Sequence, residues 1–581
     1  MKDCAKKACS LLCVLVVAGM VLGIVTAAEA SALRAGVSKV DITPEPPIQL
    51  SGYANRTEEA GEVRQPLYAK ALAIESENAP LAILLVVDLI SVPEWLTNDV
   101  AERLEAEAGI ARAQVALAAT HTHTGPALSR SIPGLFSHEM DDGTLERTDA
   151  YSNGLADKLV EAAHAAIEDL ADAELAWGQG SVDFAVNRRI LRDGRCVGMG
   201  PVLEGPADHD MPVLAVRDSD GALRAVLINY ASHCTTLTGH HNFVHGDWAG
   251  EAAARIEAAN EGAIAMIAIG CGADANPEPR GEFEHVAQHA QAIAQETAKV
   301  LEGIMTPLSR GPEGLVRAVA LPFADGESEL TYPIQTWAFG DELAMVFLPG
   351  EVTSPYALRL KRELDRRRLW VNAFANDDPC YITSAQEIRE GGYEVERSMD
   401  FYGQPGPFSP EIEDIVIHAI HDMLTPRFAK PERARAQLRE GNEPRRITGD
   451  DGGYLRLTAD AGQPYGPGIA YKQEPGWESF GGWTADDHVE WQVEVPEAGA
   501  YEVWMEWSAP PHSAGHPYVF LAGDRALRGF TESTGRWEDF RRAKIGQVHI
   551  PAGRLTMALK PAADVGESLL ELREIRLIPA Q

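Results

Sequence analysis

The run Val115-Ala-Leu-Ala-Ala119 is too short for a helix and too apolar for a surface, and it stops at Thr-His-Thr-His-Thr-Gly-Pro126. Small apolar residues bounded by a polar break read as a buried strand. On an extended backbone His121 and His123 leave the same face, with the threonines on the other. Gly125 and Pro126 then turn the chain. Two imidazoles at the carboxyl end of a buried strand stand where an open α/β sheet places its chemistry. A fold for this chain must bury the strand and still employ both rings, as hydrogen-bonded loop residues or as part of a site.

The pattern recurs along the chain. Ala35 to Pro44 alternates like a strand, and Ala69 to Glu75 and Leu81 to Leu89 are strand-like too. Helices are predicted over Pro93 to Ala108 and Asn153 to Ala171. Ala225 to Ala231 ends at Ser232-His233-Cys234, and Ala263 to Ile269 empties into Gly270-Cys-Gly-Ala-Asp-Ala-Asn-Pro277. Asp247 has the place of a cap for a helix running to about Asn260. Leu343 to Leu348 ends at Pro349-Gly350-Glu351, and Leu369 to Phe374 leads to Tyr381. Such alternation predicts an α/β domain over 33–428, with a mostly parallel sheet flanked by helices. Residues 429–446 are polar and basic, with Pro431 and Pro444, and read as a linker. From Ile447 short alternating runs between turns predict a separate all-β sandwich domain, 447–581. It holds Trp477, Trp483, Trp491, Trp504, Trp507 and Trp537, as core residues or as platforms for sugar rings.

Composition bounds the address and the partners. At 581 residues the chain is too long for one core. Its net charge of −35 disfavours nucleic acid as a partner and predicts repulsion from anionic membranes. Lys2, Lys6 and Lys7 precede an apolar Leu11 to Thr26 and the small residues of Ala28-Glu-Ala30. That is a signal peptide over 1–30, so the protein is expected to be exported (secreted or periplasmic) after cleavage near Ala30. A retained anchor is the alternative, on a short apolar stretch. Cleavage removes Cys4, Cys9 and Cys13 and leaves Cys196, Cys234, Cys271 and Cys380. These read as small hydrophobes with at most one disulfide among them.

Four strand ends thus carry His121, His233, Glu351 and Tyr381. Two neutral imidazoles and a carboxylate with an open position form a hydrolytic zinc set, and a tyrosinate can add a fourth ligand. Each residue also has a plainer role: His233 capping a carbonyl, Glu351 facing solvent, Tyr381 in a core. Spacing alone leaves both readings open.

The motifs taken together resemble the neutral (alkaline, non-lysosomal) ceramidase family. Thr120 to Pro126, Asn229 to His233, Pro349 to Glu351, and Tyr381 to Thr383 with Tyr393-Glu394 carry the resemblance. Ala35 to Pro44 and Asn187-Arg188 fit as well, and the order holds from about Ala35 to about Leu424. The resemblance implies one Zn2+ per chain on His121, His233, Glu351 and Tyr381, activating water to cleave an N-acyl amide. It also implies that His123, Arg188 and Tyr393 hold and polarise the substrate.

Two departures bear on this. Asn276 stands where ceramidases have the serine of an Asp-x-Ser-Pro loop, a residue given roles from nucleophile to substrate contact. The family's usual carboxy-terminal domain is replaced by the β module, which resembles galactose-binding-like, carbohydrate-binding sandwiches at Gly482-Trp483 to Trp491, Gly499 to Tyr501 and Gly535 to Trp537. The expected substrate is N-acylsphingosine or a related N-acyl lipid. One alternative is a deacylase of N-acyl amino sugars, its sandwich held on a polysaccharide or envelope glycan. The other is a catalytically inactive surface glycan-binding protein.

Overall fold

The computed structural model describes residues 33–580 apart from 136–139, 204, 304, 430–441, 451, 474–477, 486, 524, 563–564 and 566–567. The expected signal peptide, most of the expected linker and Trp477 lie outside the described residues.

The first body is built on a nine-stranded sheet. Its strands are β1 (Leu33–Asp41), β2 (Tyr68–Ser76), β3 (Ala79–Val87), β4 (Val115–Ala119), β5 (Ala171–Ser181), β8 (Asp210–Asp218), β9 (Leu223–Tyr230) and β10 (Ile264–Ile269), in the order β10-β9-β8-β5-β1-β2-β3-β4, with Thr306–Pro307 added beside β5. Strands β6 (Ala185–Arg192), β7 (Arg195–Val202) and β11 (Ala275–Pro277) form a small sheet of their own, β11-β6-β7. The expected mostly parallel sheet is not what forms. Only β9–β10 and β3–β4 run parallel, and the pairs between them along the order are antiparallel. The physical cause of the misreading is that both faces of this sheet are covered. A doubly covered antiparallel strand such as β8 then reads as the continuous apolar run of a parallel one.

What covers the faces also differs from the expected helices on either side. Alternate residues Ile83, Leu85 and Val87 pack with Leu96, Val100 and Leu159 of helices α1 (Glu94–Ala108) and α2 (Asp142–Glu168). At the other end of the order Val226 and Ile228 meet Trp248 and Ala252 of α3 (Asp247–Ala259) and Ile293 of α4 (Phe283–Glu302). The opposite face, through Leu84, Val86, Leu214 and Leu227, packs on Trp337, Phe347 and Trp370 of a second sheet. That sheet comprises Pro312–Pro322, Glu329–Phe339, Leu343–Phe347 and Leu369–Asn372. Its outer face is covered by helices Ser354–Glu363 and Ile412–Leu424, through Tyr356, Leu360, Val416 and Ile420 against Ile334 and Val346. The result is four layers: helices, sheet, sheet, helices.

The segment after Asn372 ties the two ends of the large sheet together. The Ala373 amide donates to Ile269 at the end of β10, and the Ala119 amide at the end of β4 donates to Phe374. Asn376 returns a side-chain bond, its Oδ1 accepting from the Leu117 amide at 3.0 Å. Strands at opposite ends of the order therefore finish side by side.

Residues from Ile447 onward form two six-stranded sheets around a separate core. Trp483, Trp491 and Trp507 are buried in it, whereas Trp504 and Trp537 are half-buried. The sandwich also touches the first body: Arg525 reaches Glu390, and Leu527 and Arg528 line a cleft with His209 and Ala207. Among the described residues Cys196, Cys234, Cys271 and Cys380 are free, the last three buried. Among the described residues no helix is long and apolar enough to cross a membrane.

Trp491 fills the sandwich core and donates from its indole to the Thr458 carbonyl at 2.9 Å. Trp491→Ala is expected to cost the sandwich about 3–5 kcal/mol in denaturant unfolding. Trp504→Ala, at a half-buried position, is expected to cost far less.

Candidate metal centre

His121, His123 and His233 converge with all ligating atoms within 4.8 Å of one another, in full burial. His121 and His123 follow β4, and His233 follows β9. The bridge between Thr122 and Cys234, with the His123 amide donating to the Cys234 carbonyl at 3.2 Å, holds the two loops in register. The two rings do not come from an extended strand, as the spacing suggested: His121 has φ 56°. Its left-handed backbone turns the ring inward beneath Phe374, whose ring centroid lies 4.1 Å away. Asp247, Phe374 and Asn376 have φ of 51°, 51° and 64°. Asp247 caps nothing in the ordinary sense; its carboxylate accepts from the Leu237 and Trp248 amides, and the Trp248 indole donates to the His233 carbonyl. Strained backbone held this firmly marks a site rather than a filler loop.

Each imidazole is oriented from behind. His121 Nδ1 lies 2.7 Å from the Ile90 carbonyl, His123 Nδ1 3.0 Å from Gly52 and His233 Nδ1 2.9 Å from Gly272. A carbonyl oxygen only accepts, so each Nδ1 carries the proton and each Nε2 presents a lone pair. Burial keeps all three rings neutral: it lowers His121 to about 3 and His123 well below the ordinary value, and lowers His233 as well. His121 and His123 turn their Nε2 atoms on each other at 3.1 Å. Two lone pairs at that separation repel unless a cation or proton lies between them.

Glu351 completes the centre. Its Oε2 is 3.1 Å from His233 Nε2 and 3.6 Å from His121 Nε2. It has no hydrogen-bond partner in the structure although it is buried. Burial opposes its charge, and a hydrogen bond from Tyr381 favours it. Glu351 and Tyr381 come from one short parallel ladder, directly opposite each other in register. They therefore belong to a sheet separate from β4 and β9, not to the single parallel sheet the strand ends suggested. Imidazole nitrogens with fixed tautomers, an orphaned buried carboxylate oxygen and a phenol make a donor set that fits a divalent cation such as zinc.

The remaining expected residues also arrive here. Arg188, buried on β6, donates to Glu394 at 2.8 Å and to the Tyr381 hydroxyl at 3.1 Å, with Nη1 3.3 Å from both His233 Nε2 and Asn276 Oδ1. Asn276 Oδ1 also accepts from Thr235 at 3.3 Å. The Tyr393 ring stands 5.7 Å from that of Tyr381, and burial pushes its phenol up to about 12.

Sequence reasoning missed three contributors. Tyr402 donates to Glu351 Oε1 at 2.7 Å; Gly52 holds His123; Phe374 covers His121. Only the glycine leaves a readable trace, as Ser51-Gly52 in a polar stretch.

Fold and site together define a four-layer α/β protein with a buried, metal-competent centre. Residues 33–304 match the family model described as neutral/alkaline non-lysosomal ceramidase, N-terminal. Neutral ceramidase of Pseudomonas aeruginosa is 27% identical over 224 residues, 37% of this chain and 32% of that protein. Neutral ceramidase B of Dictyostelium discoideum is 25% identical over 223 residues, 37% of this chain and 30% of that one. The alignments thus span about a third of each curated relative. The crystal structure of the P. aeruginosa neutral ceramidase superposes with a TM-score of 0.57 at 16% identity, covering 92% of this chain and 94% of that one. It shows the shared fold. The resemblance read from the motifs therefore holds for the segment that bears the three histidines.

Gly52 tests how tightly His123 is held. A Cβ there would stand 2.6 Å from His123 Cγ, on a backbone at φ +96°. Gly52→Ala is expected to destabilise the protein by about 1–3 kcal/mol in urea unfolding. Gly61→Ala, which meets open space, serves as the unaffected control.

Proposed function

We propose that the chain is an exported, zinc-dependent amidohydrolase that cleaves an N-acyl amide of the ceramide type. The observation that carries the reading is the set of fixed Nε2 lone pairs facing the unpartnered Glu351 Oε2. The relatives named neutral ceramidase support the substrate class. His121, His233, Glu351 and Tyr381 would hold one zinc ion per chain. His123, although its Nε2 lies 3.1 Å from that of His121, is assigned to the substrate instead, as the motif resemblance implies.

Bound there, zinc supplies a polarising charge for the amide carbonyl and lowers the pKa of a water to about 7. The residues around it do the rest. His123, with its proton fixed on Nδ1 by Gly52, has a free Nε2 to take a proton from the attacking water and return it to the leaving amine. The Tyr393 phenol, un-ionised at neutral pH, donates to the oxyanion that forms as the carbonyl carbon becomes tetrahedral. Arg188 keeps Tyr381 in place and supplies a fixed positive charge beside the reacting group. Asn276 commits its carbonyl to Arg188 and Thr235, which leaves its NH2 group to donate to the substrate. That donor is the observation favouring a second reading, in which the amide's head group carries more hydroxyls than sphingosine, as an N-acyl amino sugar does.

Purified mature protein is expected to contain about one zinc per chain, lost in His121→Ala and His233→Ala and kept in His123→Ala. Full zinc in all three variants would reject the ligand set; loss in His123→Ala would make that ring a ligand. Tyr393→Phe is expected to lower kcat by about a hundredfold with zinc retained. An unchanged kcat would make Tyr393 structural.

The head group is decided by assaying N-acylsphingosine beside an N-acyl amino sugar with the unmodified protein and with Asn276→Ser. Hydrolysis by both, shifting towards the lipid in the variant, is the expected result. Hydrolysis only after Asn276→Ser would favour an inactive glycan-binding protein in the natural chain.

A further inference from the structure

The sandwich is connected to the candidate centre through a line of buried charges. Arg525, on the strand Arg525–Phe530, leaves its own module and places Nη2 3.4 Å from Glu390 Oε1. The same Glu390 oxygen accepts from Gln386 at 2.8 Å, and the other lies 3.4 Å from Arg189 Nη2. Arg189 Nη1 donates to Glu394 Oε2 at 2.6 Å, while Glu394 Oε1 accepts from Arg188 at 2.8 Å. Arg188 then reaches Tyr381, His233 and Asn276. The line runs from the second module to three residues of the site with no step longer than 3.4 Å.

Charge balance gives this line its consequence. Arg188, Arg189 and Arg525 face Glu390 and Glu394, with Glu387, whose carboxyl burial pushes up to about 7, beside Arg189. Arg188, Arg189, Glu390 and Glu394 are each 7% exposed or less. In so little water a charge left without its partner has to find another, and removing one member disturbs its neighbours rather than only itself. Without Arg525, Glu390 keeps Arg189 as its ion-pair partner among the described residues, and Arg189 is drawn from Glu394. Glu394 then claims more of Arg188, which also holds Tyr381. Tyr393 and Glu394 occupy the same single turn, Tyr393–Arg397, so a shift of one carries the other.

We propose that Arg525 is a positioning residue for the centre. By this account the sandwich completes the charge network that orients Arg188 and Tyr393, and the catalytic body depends on it even for a soluble substrate. The catalytic half of this statement rests on the amidase reading above; the structural half does not.

The test uses the full chain with Arg525→Ala, Arg525→Lys and the double variant Arg525→Ala/Glu390→Gln. Hydrogen–deuterium exchange is followed in peptides covering 385–402, and kcat and KM are measured on a soluble amide. Arg525→Ala is expected to speed exchange across 391–402 by about tenfold, with strands β1–β4 unchanged. It is also expected to lower kcat by about tenfold with KM within about twofold. Arg525→Lys restores most of both effects. The double variant restores them as well, because it removes the carboxylate that Arg525 had balanced.

A general loss of stability would raise exchange everywhere and would not be repaired by a second substitution, and that result overturns the proposal. So does unchanged exchange across 391–402 in Arg525→Ala. If the unmodified protein hydrolyses no amide, the amidase reading fails by itself, and the exchange data still decide whether Arg525 orders the segment bearing Tyr393 and Glu394.

Discussion

Three hydrogen bonds behind the histidines decide what the centre can be. Ile90, Gly52 and Gly272 offer carbonyl oxygens to the three Nδ1 atoms, and that choice of tautomer points every Nε2 lone pair inward. Had the rings been free to flip, each could have donated to Glu351 and formed a self-satisfied polar cluster. Instead the rings present their lone pairs to the carboxylate, with Arg188 Nη1 3.3 Å from His233 Nε2 as the neighbouring positive charge. Neutral rings cost less to bury than charged ones, which burial itself enforces here. The cost of keeping them is an unsatisfied carboxylate oxygen beside inward lone pairs, a defect that a divalent cation on His121, His233 and Glu351 would remove.

That arrangement depends on the large sheet returning to itself. β4 and β9 lie near opposite ends of the strand order; the Thr122–Cys234 bridge joins the loops that follow them, and the 373–376 segment joins β4 to β10, the neighbour of β9. The same segment supplies Phe374 against His121 and, through Asn376, a side-chain bond to β4. Its positive φ values are thus the local cost of one continuous piece of backbone serving as seam and as wall of the site. The second sheet contributes by a different route. Glu351 and Tyr381 follow the strands Leu343–Phe347 and Leu369–Asn372, which run parallel and so finish at the same end.

Much of this was legible in the residues, and the failures share a cause. A strand ending in a metal-competent side chain is a local pattern, so β4 with His121, β9 with His233 and the Glu351 turn could all be found in order. Pairing direction is not local. β3 and β8 are covered on both faces, by helices on one and a sheet on the other, and their apolar runs carry no record of whether neighbours run with them or against them. His121 in the left-handed region looks like any residue of a strand end. Tyr402 reaches Glu351 from 51 residues away through a single hydroxyl, and no spacing rule describes such a contact. The third histidine shows the limit differently: His123 was visible from the start, but its placement beside His121 Nε2 is a product of the turn, not of alternation.

The sandwich shows why a change of sequence texture marks a boundary of pattern and not of dependence. Its core is its own, with Trp483 and Trp491 buried among residues after Ile447. Hydrophobic cores are contiguous clusters, so a domain reads as closed wherever its apolar contacts stop. Charges obey a different geometry. A guanidinium at the end of a long stem can cross the gap between two complete cores and enter the other body's ion-pair network, as Arg525 does at Glu390. Nothing in the alternating pattern of Arg525–Phe530 distinguishes that arginine from one facing solvent. Two bodies that are separate by burial are therefore joined by electrostatics, and the joint lies two carboxylates away from the arginine that faces the histidines.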